Sequence, residues 1–239
     1  MFFLPISDDN PIRIVPLVTW LLLAVNVVVF VWQVSLTGDG FEAAVLALGM
    51  TPAVLFGYAE LPSWLETVPA WATPFTSMFM HGGWAHLGGN MLYLWIFANN
   101  VEESMGHGRF IVFYLITGVA AAFGQALADP ISTIPMVGAS GAISGMLGAY
   151  LMLHPRAHVR VLVYLFPVFL RIVPVPALIV LGLWFLMQIG SAVLSSDAEG
   201  GVAFWAHSAG FAAGMVLVPL FKHRWVPLFA GARRRGPWG

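Results

Sequence analysis

The stretch Met136-Val137-Gly138-Ala139-Ser140-Gly141-Ala142-Ile143-Ser144-Gly145 puts a hydroxyl among glycines at the head of an apolar run. No charged residue interrupts that run from Gly138 to Leu153. At about 1.5 Å per residue, such a helix crosses most of a bilayer's hydrocarbon core. A serine there has no bulk solvent. In a membrane helix a lone serine ordinarily serves close packing. Ser140 has company, however: His86, Asn90 and His207, each in an apolar segment of its own or an adjoining one.

Composition fixes the class. Of 239 residues, 59% are hydrophobic and 9% charged, where soluble domains carry roughly 25% charged residues. The expectation is an all-α polytopic membrane protein embedded in a lipid bilayer. The absence of cysteine excludes disulfides and thiolate metal sites. A net charge of -1 with no basic patch gives no sign of a nucleic-acid partner. Asp8 and Asp9 precede the first apolar run, and no small-residue cleavage pattern follows it, so it reads as a retained helix and not a signal peptide.

Six spans are expected, at 16–36, 84–101, 111–127, 138–153, 177–194 and 202–221. Residues 1–15 form an amino-terminal segment, and 222–239 a basic tail. The segment 37–83, rich in Pro, Gly and Trp, is too interrupted to cross and reads as an interfacial loop. The stretch 161–170 is apolar but short and closed by Arg171, so it reads as interfacial or re-entrant. With this arrangement all 10 Lys and Arg residues fall on one face, from Arg13 to Arg235. The opposite loops carry Asp39, Glu42, Glu60, Glu66, Asp129, Asp197 and Glu199. The positive-inside rule then puts both termini in the cytoplasm.

Spans two, four and six run in the same direction, and His86, Asn90, Ser140 and His207 all lie early in theirs. The four groups therefore share a depth near the outer surface. Ala206, Gly210 and Gly214 on span six, and Gly141 and Gly145 on span four, are small residues at spacing four, which lets two helix backbones approach closely. An ionisable residue inside an apolar helix points to function, and a neutral imidazole accepts a proton from serine. No Asp or Glu lies in a span interior to orient His207, so the pattern is a Ser140–His207 dyad rather than a triad. The sequence lacks the second glycine of a GxSxG elbow, which removes the α/β-hydrolase reading.

His86 and Asn90, four apart, share a helix face and supply two donors for an oxyanion; the backbone amide of Ser140 supplies a third. His81, in the loop before them, is placed to position His86. A zinc site built from His81, His86 and His207 is weak, with a five-residue spacing and no carboxylate. The reading calls for no metal and no cofactor. Gln125 and Gln188, in spans three and five, either relay water or bond between helices.

The three motifs His81-Gly-Gly-Trp-Ala-His86-Leu-Gly-Gly-Asn90, Gly138-Ala139-Ser140-Gly141 and Ala206-His207-Ser-Ala-Gly210-Phe-Ala-Ala-Gly214 resemble those of the rhomboid intramembrane serine proteases. The resemblance implies a nucleophile at Ser140, a general base at His207 and oxyanion donors at His86 and Asn90. It also implies a six-span bundle, a water-filled cavity above the dyad, and substrates that are transmembrane proteins entering from the side. Two departures stand out. Some bacterial members stack a tyrosine, four residues after the nucleophile, on the histidine; here that residue is Ser144. Glu102 matches the family's glutamate, but Ser104 stands where an arginine is often found. A catalytically silent relative that binds membrane helices, and a transporter, are the competing readings. The first predicts loss of Ser140 or His207 and the second an internal repeat, and the sequence shows neither.

Overall fold

In the computed structural model, which describes residues 2–165, 169–194 and 203–230, strand β1 (Phe2–Asp8) leads into helix α1 (Leu17–Ser35). Three short helices follow: α2 (Gly40–Leu48), α3 (Pro52–Leu55) and α4 (Thr73–Thr76). Next come α5 (Trp84–Met105), α6 (His107–Ala128) and α7 (Ser140–Leu153). Strands β2 (His158–Leu165) and β3 (Phe169–Pro176) precede α8 (Ala177–Leu194) and α9 (Phe204–Phe221).

Each of the six apolar runs falls largely on one helix, from 14 residues in α7 to 22 in α5 and α6. Among the described residues, α1, α6, α8 and α9 are long and apolar enough to cross a membrane. The other two, α5 and α7, carry His86, Asn90 and Ser140. Helix α7 has 14 residues, about 21 Å of rise. Helix α5 has 22 residues but includes His86, Asn90, Asn99, Asn100, Glu102 and Glu103.

The all-α expectation needs correction. β1, β2 and β3 form an antiparallel sheet in that order. The stretch 161–170, expected to be interfacial or re-entrant, is divided between the end of strand β2 and the start of β3, with residues 166–168 outside the described ones. The sequence of β2 alternates: Val159 and Val161 are buried in the core and Val163 packs against it, while Arg160 and Tyr164 are exposed. That period of two is the signature of a half-buried strand. Asp197, Glu199 and Arg233 to Arg235 also lie outside the described residues.

Glycines decide how the helices meet. A Cβ on Gly210 would fall onto the Gly141 carbonyl, one on Gly214 onto the Gly145 carbonyl, and one on Gly148 onto the Phe211 carbonyl. Helices α7 and α9 therefore touch backbone to backbone, as small residues at spacing four permit. On the other side of α7, Gly141 lies against Ala121 and Gly145 against Thr117 of α6. Eleven of the 14 residues of α7 are buried.

The segment 37–83 is tied to the same place. Met50 and Met136 exchange backbone hydrogen bonds of 3.0 and 2.8 Å, and the Gly138 amide donates to the Ser77 carbonyl at 2.9 Å. At the far end, Pro16 at the head of α1 offers no capping side chain. The fully buried Glu102 caps that helix from α5, accepting from Val18 N at 2.9 Å, Thr19 N at 2.8 Å and Thr19 Oγ1 at 2.6 Å. His107 Nδ1 pairs with the same carboxylate. Ser104, in the place of the arginine, donates to the Asn100 carbonyl at 2.9 Å, and its own carbonyl accepts from His223 N.

Candidate active site

Ser140 is the first residue of α7 and His207 the fourth of α9. Their side chains meet: His207 Nε2 lies 2.8 Å from Ser140 Oγ across 67 residues of chain. The approach depends on Gly141 and Gly210, because the Gly210 position has no room for a side chain against the Gly141 carbonyl. Ala139, fully buried, is the residue before the helix, and its carbonyl accepts the first helical bond, from Ile143 N at 2.9 Å. The amides of Ser140, Gly141 and Ala142 precede that bond and have no acceptor within the helix.

The first turns of α5 bring two more groups to the same cavity. His86 Nδ1 accepts from Gly82 N at 3.3 Å, which leaves Nε2 to carry the ring proton. Gly138 lies beside it with φ +124, and a Cβ there would sit 2.7 Å from His86 Nε2. Both the backbone conformation and the space require glycine. Asn90 is 7% exposed, and its Nδ2 has no hydrogen-bond partner among the described residues. That leaves the amide hydrogens of Asn90 available to a group entering the cavity it lines. Neither His86 nor Asn90 bonds to Ser140 directly among the described residues; they line a cavity of about 1070 Å³ with Ser140, His207, Gln125 and Trp184.

His81 stands behind His86. Its ring meets the His86 ring edge-on at 5.2 Å. Gln33 of α1 clamps its backbone, accepting from His81 N at 2.9 Å and donating to its carbonyl at 3.1 Å. Burial, helped by the neighbouring His86 ring, lowers the His81 pKa to about 4, so it stays neutral.

Two residues of α8 join the site that the sequence left unassigned or uncertain. Gln188 Oε1 lies 2.8 Å from His207 Nδ1, and the Trp184 ring lies 6.0 Å from the His207 ring at 35°. The signal was their spacing of four, which puts both on one face of an apolar helix. Of the two readings open for Gln188, a bond between helices is the one made. Gln125 does the same on the opposite side, its Oε1 accepting from Ala206 N at 3.3 Å. Ser144 does not reach the histidine: its hydroxyl donates back to the Ser140 carbonyl at 2.6 Å.

Comparison with known proteins gives the family. A family model described as the Rhomboid domain matches residues 69–224. The Rhomboid protease GluP of Bacillus subtilis is 32% identical over 136 residues, covering 57% of this chain and 24% of that protein. Rhomboid-like protein 11, chloroplastic, of Arabidopsis thaliana is 37% identical over 92 residues, 38% of this chain and 30% of its own length. Rhomboid protein 1, mitochondrial, of Saccharomyces cerevisiae is 33% identical over 96 residues, 38% of this chain and 27% of its own length. The chain thus spans less than a third of the length of each of these three relatives.

Proposed function

From the premise that this integral membrane protein belongs to the rhomboid family, we propose that it is an intramembrane serine endopeptidase. Its substrates are transmembrane proteins, cut near the outer membrane face. The observation that carries the reading is the 2.8 Å contact between Ser140 Oγ and His207 Nε2, from two helices whose glycines fix their separation.

Ser140 Oγ attacks the scissile carbonyl carbon as His207 Nε2 takes its proton. The carbonyl oxygen becomes an oxyanion facing donors fixed in advance: His86 Nε2–H, Asn90 Nδ2 and the free amides at the head of α7. His207 then gives the proton to the leaving amine, and the tetrahedral adduct collapses to an acyl-enzyme. Water, deprotonated by the same nitrogen, adds to the acyl carbon, and Ser140 Oγ leaves with the proton. A substrate helix protects its peptide bonds with its own hydrogen bonds, so cleavable segments carry Gly or Pro close to the cut.

The segregation of all 10 Lys and Arg residues from the opposite loops supports six spans with both termini in the cytoplasm. The site then opens to the extracytoplasmic side, and a bacterial inner membrane fits that sign of charge. Labelling by a serine-reactive fluorophosphonate, abolished in Ser140→Ala, tests the chemistry; cleavage of single-span proteins in liposomes by the wild type alone tests the substrate class. Absence of labelling in folded wild type would favour a silent, helix-binding relative.

A further inference from the structure

We propose that Gln188 is a positioning residue that sets the tautomer of His207, with Trp184 supporting the ring; the proposal rests on the reading of Ser140 and His207 as the hydrolytic pair. An amide oxygen carries no hydrogen. The 2.8 Å contact between Gln188 Oε1 and His207 Nδ1 therefore requires the proton on Nδ1. Nε2 then presents its lone pair to Ser140 Oγ–H at 2.8 Å, which is the form able to accept the serine's proton. The opposite tautomer would direct an N–H at the serine and leave it nowhere to send its own.

The carboxylate of a Ser-His-Asp triad does this job elsewhere by orienting the ring and stabilising the imidazolium. Here a neutral amide orients the ring without a charge, which suits a site in an apolar helix, where an unpaired carboxylate is expensive. Trp184, one turn before Gln188 on the same face, lies beside the imidazole. The pair supplies from α8 the support that Ser144 cannot give, since its hydroxyl is spent on its own helix.

A purely structural role for Gln188, fastening α8 to α9, makes different predictions. In ¹⁵N-histidine NMR of Ser140→Ala protein, His207 is expected as the Nδ1–H tautomer. Adding Gln188→Leu is expected to give a mixture or the Nε2–H form. In active protein, Gln188→Leu is expected to slow turnover of the folded enzyme about 10²-fold, beyond what its modest loss of stability accounts for. Gln188→Glu keeps an acceptor and adds charge; it is expected to recover much of the rate and to move the acidic limb of the kcat/KM profile up by about one pH unit. An unchanged His207 spectrum in the Gln188→Leu protein would overturn the proposal. So would wild-type turnover in Gln188→Leu, or a Gln188→Glu enzyme as slow as Gln188→Leu with an unshifted profile. Failure of wild type to label with fluorophosphonate would sink the hydrolytic reading instead, and the NMR result stands apart from it.

Discussion

Helices α7 and α8 both line the cavity, and they are held in opposite ways. Helix α7 is buried on most of its surface, and its glycines admit the backbones of α9 and side chains of α6. Helix α8 fully buries only Ala177 and Leu181 and leaves Leu183, Leu186 and Met187 more than half exposed. Its contacts with α9 include Phe185 stacked on Phe211 at 4.4 Å and the Gln188–His207 hydrogen bond. The nucleophile thus sits on the tightest element and the base on that element's partner, while the groups that hold the base ring come from the least buried long helix. Chemistry that needs sub-ångström placement is built where backbones interlock. Orientation of the ring is entrusted to a helix whose displacement disturbs the least packing.

A matched pair of glycine substitutions should break or sharpen that contrast most strongly. Gly214→Ala drives a methyl onto the Gly145 carbonyl, and backbone cannot rotate away. The expected loss reaches or exceeds the upper end of the roughly 1–3 kcal/mol typical of overpacking, with activity lost alongside. Gly190→Ala on α8 meets nothing within 4 Å; it should be neutral or stabilise by up to about 1 kcal/mol through helix propensity. Thermal unfolding in detergent measures both. Equal melting temperatures for the two variants would erase the distinction between the helices.

The next effects ask whether the oxyanion side belongs with the interlocked region. Gly138→Ala meets both a φ of +124 and the His86 ring nitrogen 2.7 Å away. Displacing His86 should cut kcat by about 10²–10³, read as liposome cleavage at saturating substrate, with a smaller loss of stability than Gly214→Ala. Asn90→Ala removes a buried donor that has no partner among the described residues. Its rate should fall about 10²-fold while the melting temperature holds, because its side chain loses no hydrogen bond to the described residues. A fall in both would mean that Asn90 is structural.

Much of this was legible because it is written in helical periods. Ser140, His207 and the glycines at spacing four name the helices that must touch, and the geometry follows from backbone packing alone. The sheet was legible in principle, from the alternation of Val159, Val161 and Val163, but apolar character in a membrane chain drew that stretch toward the bilayer. What could not be read was the partner of His207 Nδ1. A glutamine in an apolar helix bonds to whichever helix lies opposite, and the rotation of α8 about its axis is set by Trp184 and Phe185 packing on α9, not by any local pattern. The capping of α1 by Glu102 is hidden in the same way, since donor and acceptor lie 83 residues apart.

The smallest effect concerns how the buried helix is fastened at its other end. In the last turn of α7, Tyr150 donates to Asp8 Oδ2 at 2.6 Å, and Asn100 Nδ2 donates to the same oxygen at 3.0 Å. Asp8 closes β1, so one carboxylate links the sheet to α5 and α7. Burial raises its pKa from 3.8 to about 6; the Tyr150 hydrogen bond opposes the shift and the charge of Asp9 adds to it. The folded protein therefore holds this proton more tightly than the unfolded chain does. The associated stabilisation is complete below the unfolded pKa of 3.8 and is lost as pH rises through about 6. Stability should fall by about 1 kcal/mol between pH 5 and pH 7 from this group alone. Asp8→Asn should flatten that slope in denaturation measured across the range, leaving the Ser140 labelling rate unchanged at fixed pH. If the slope survives the substitution, the sheet does not fasten α7 through this carboxylate, and the glycine interlock with α9 and α6 holds the helix without it.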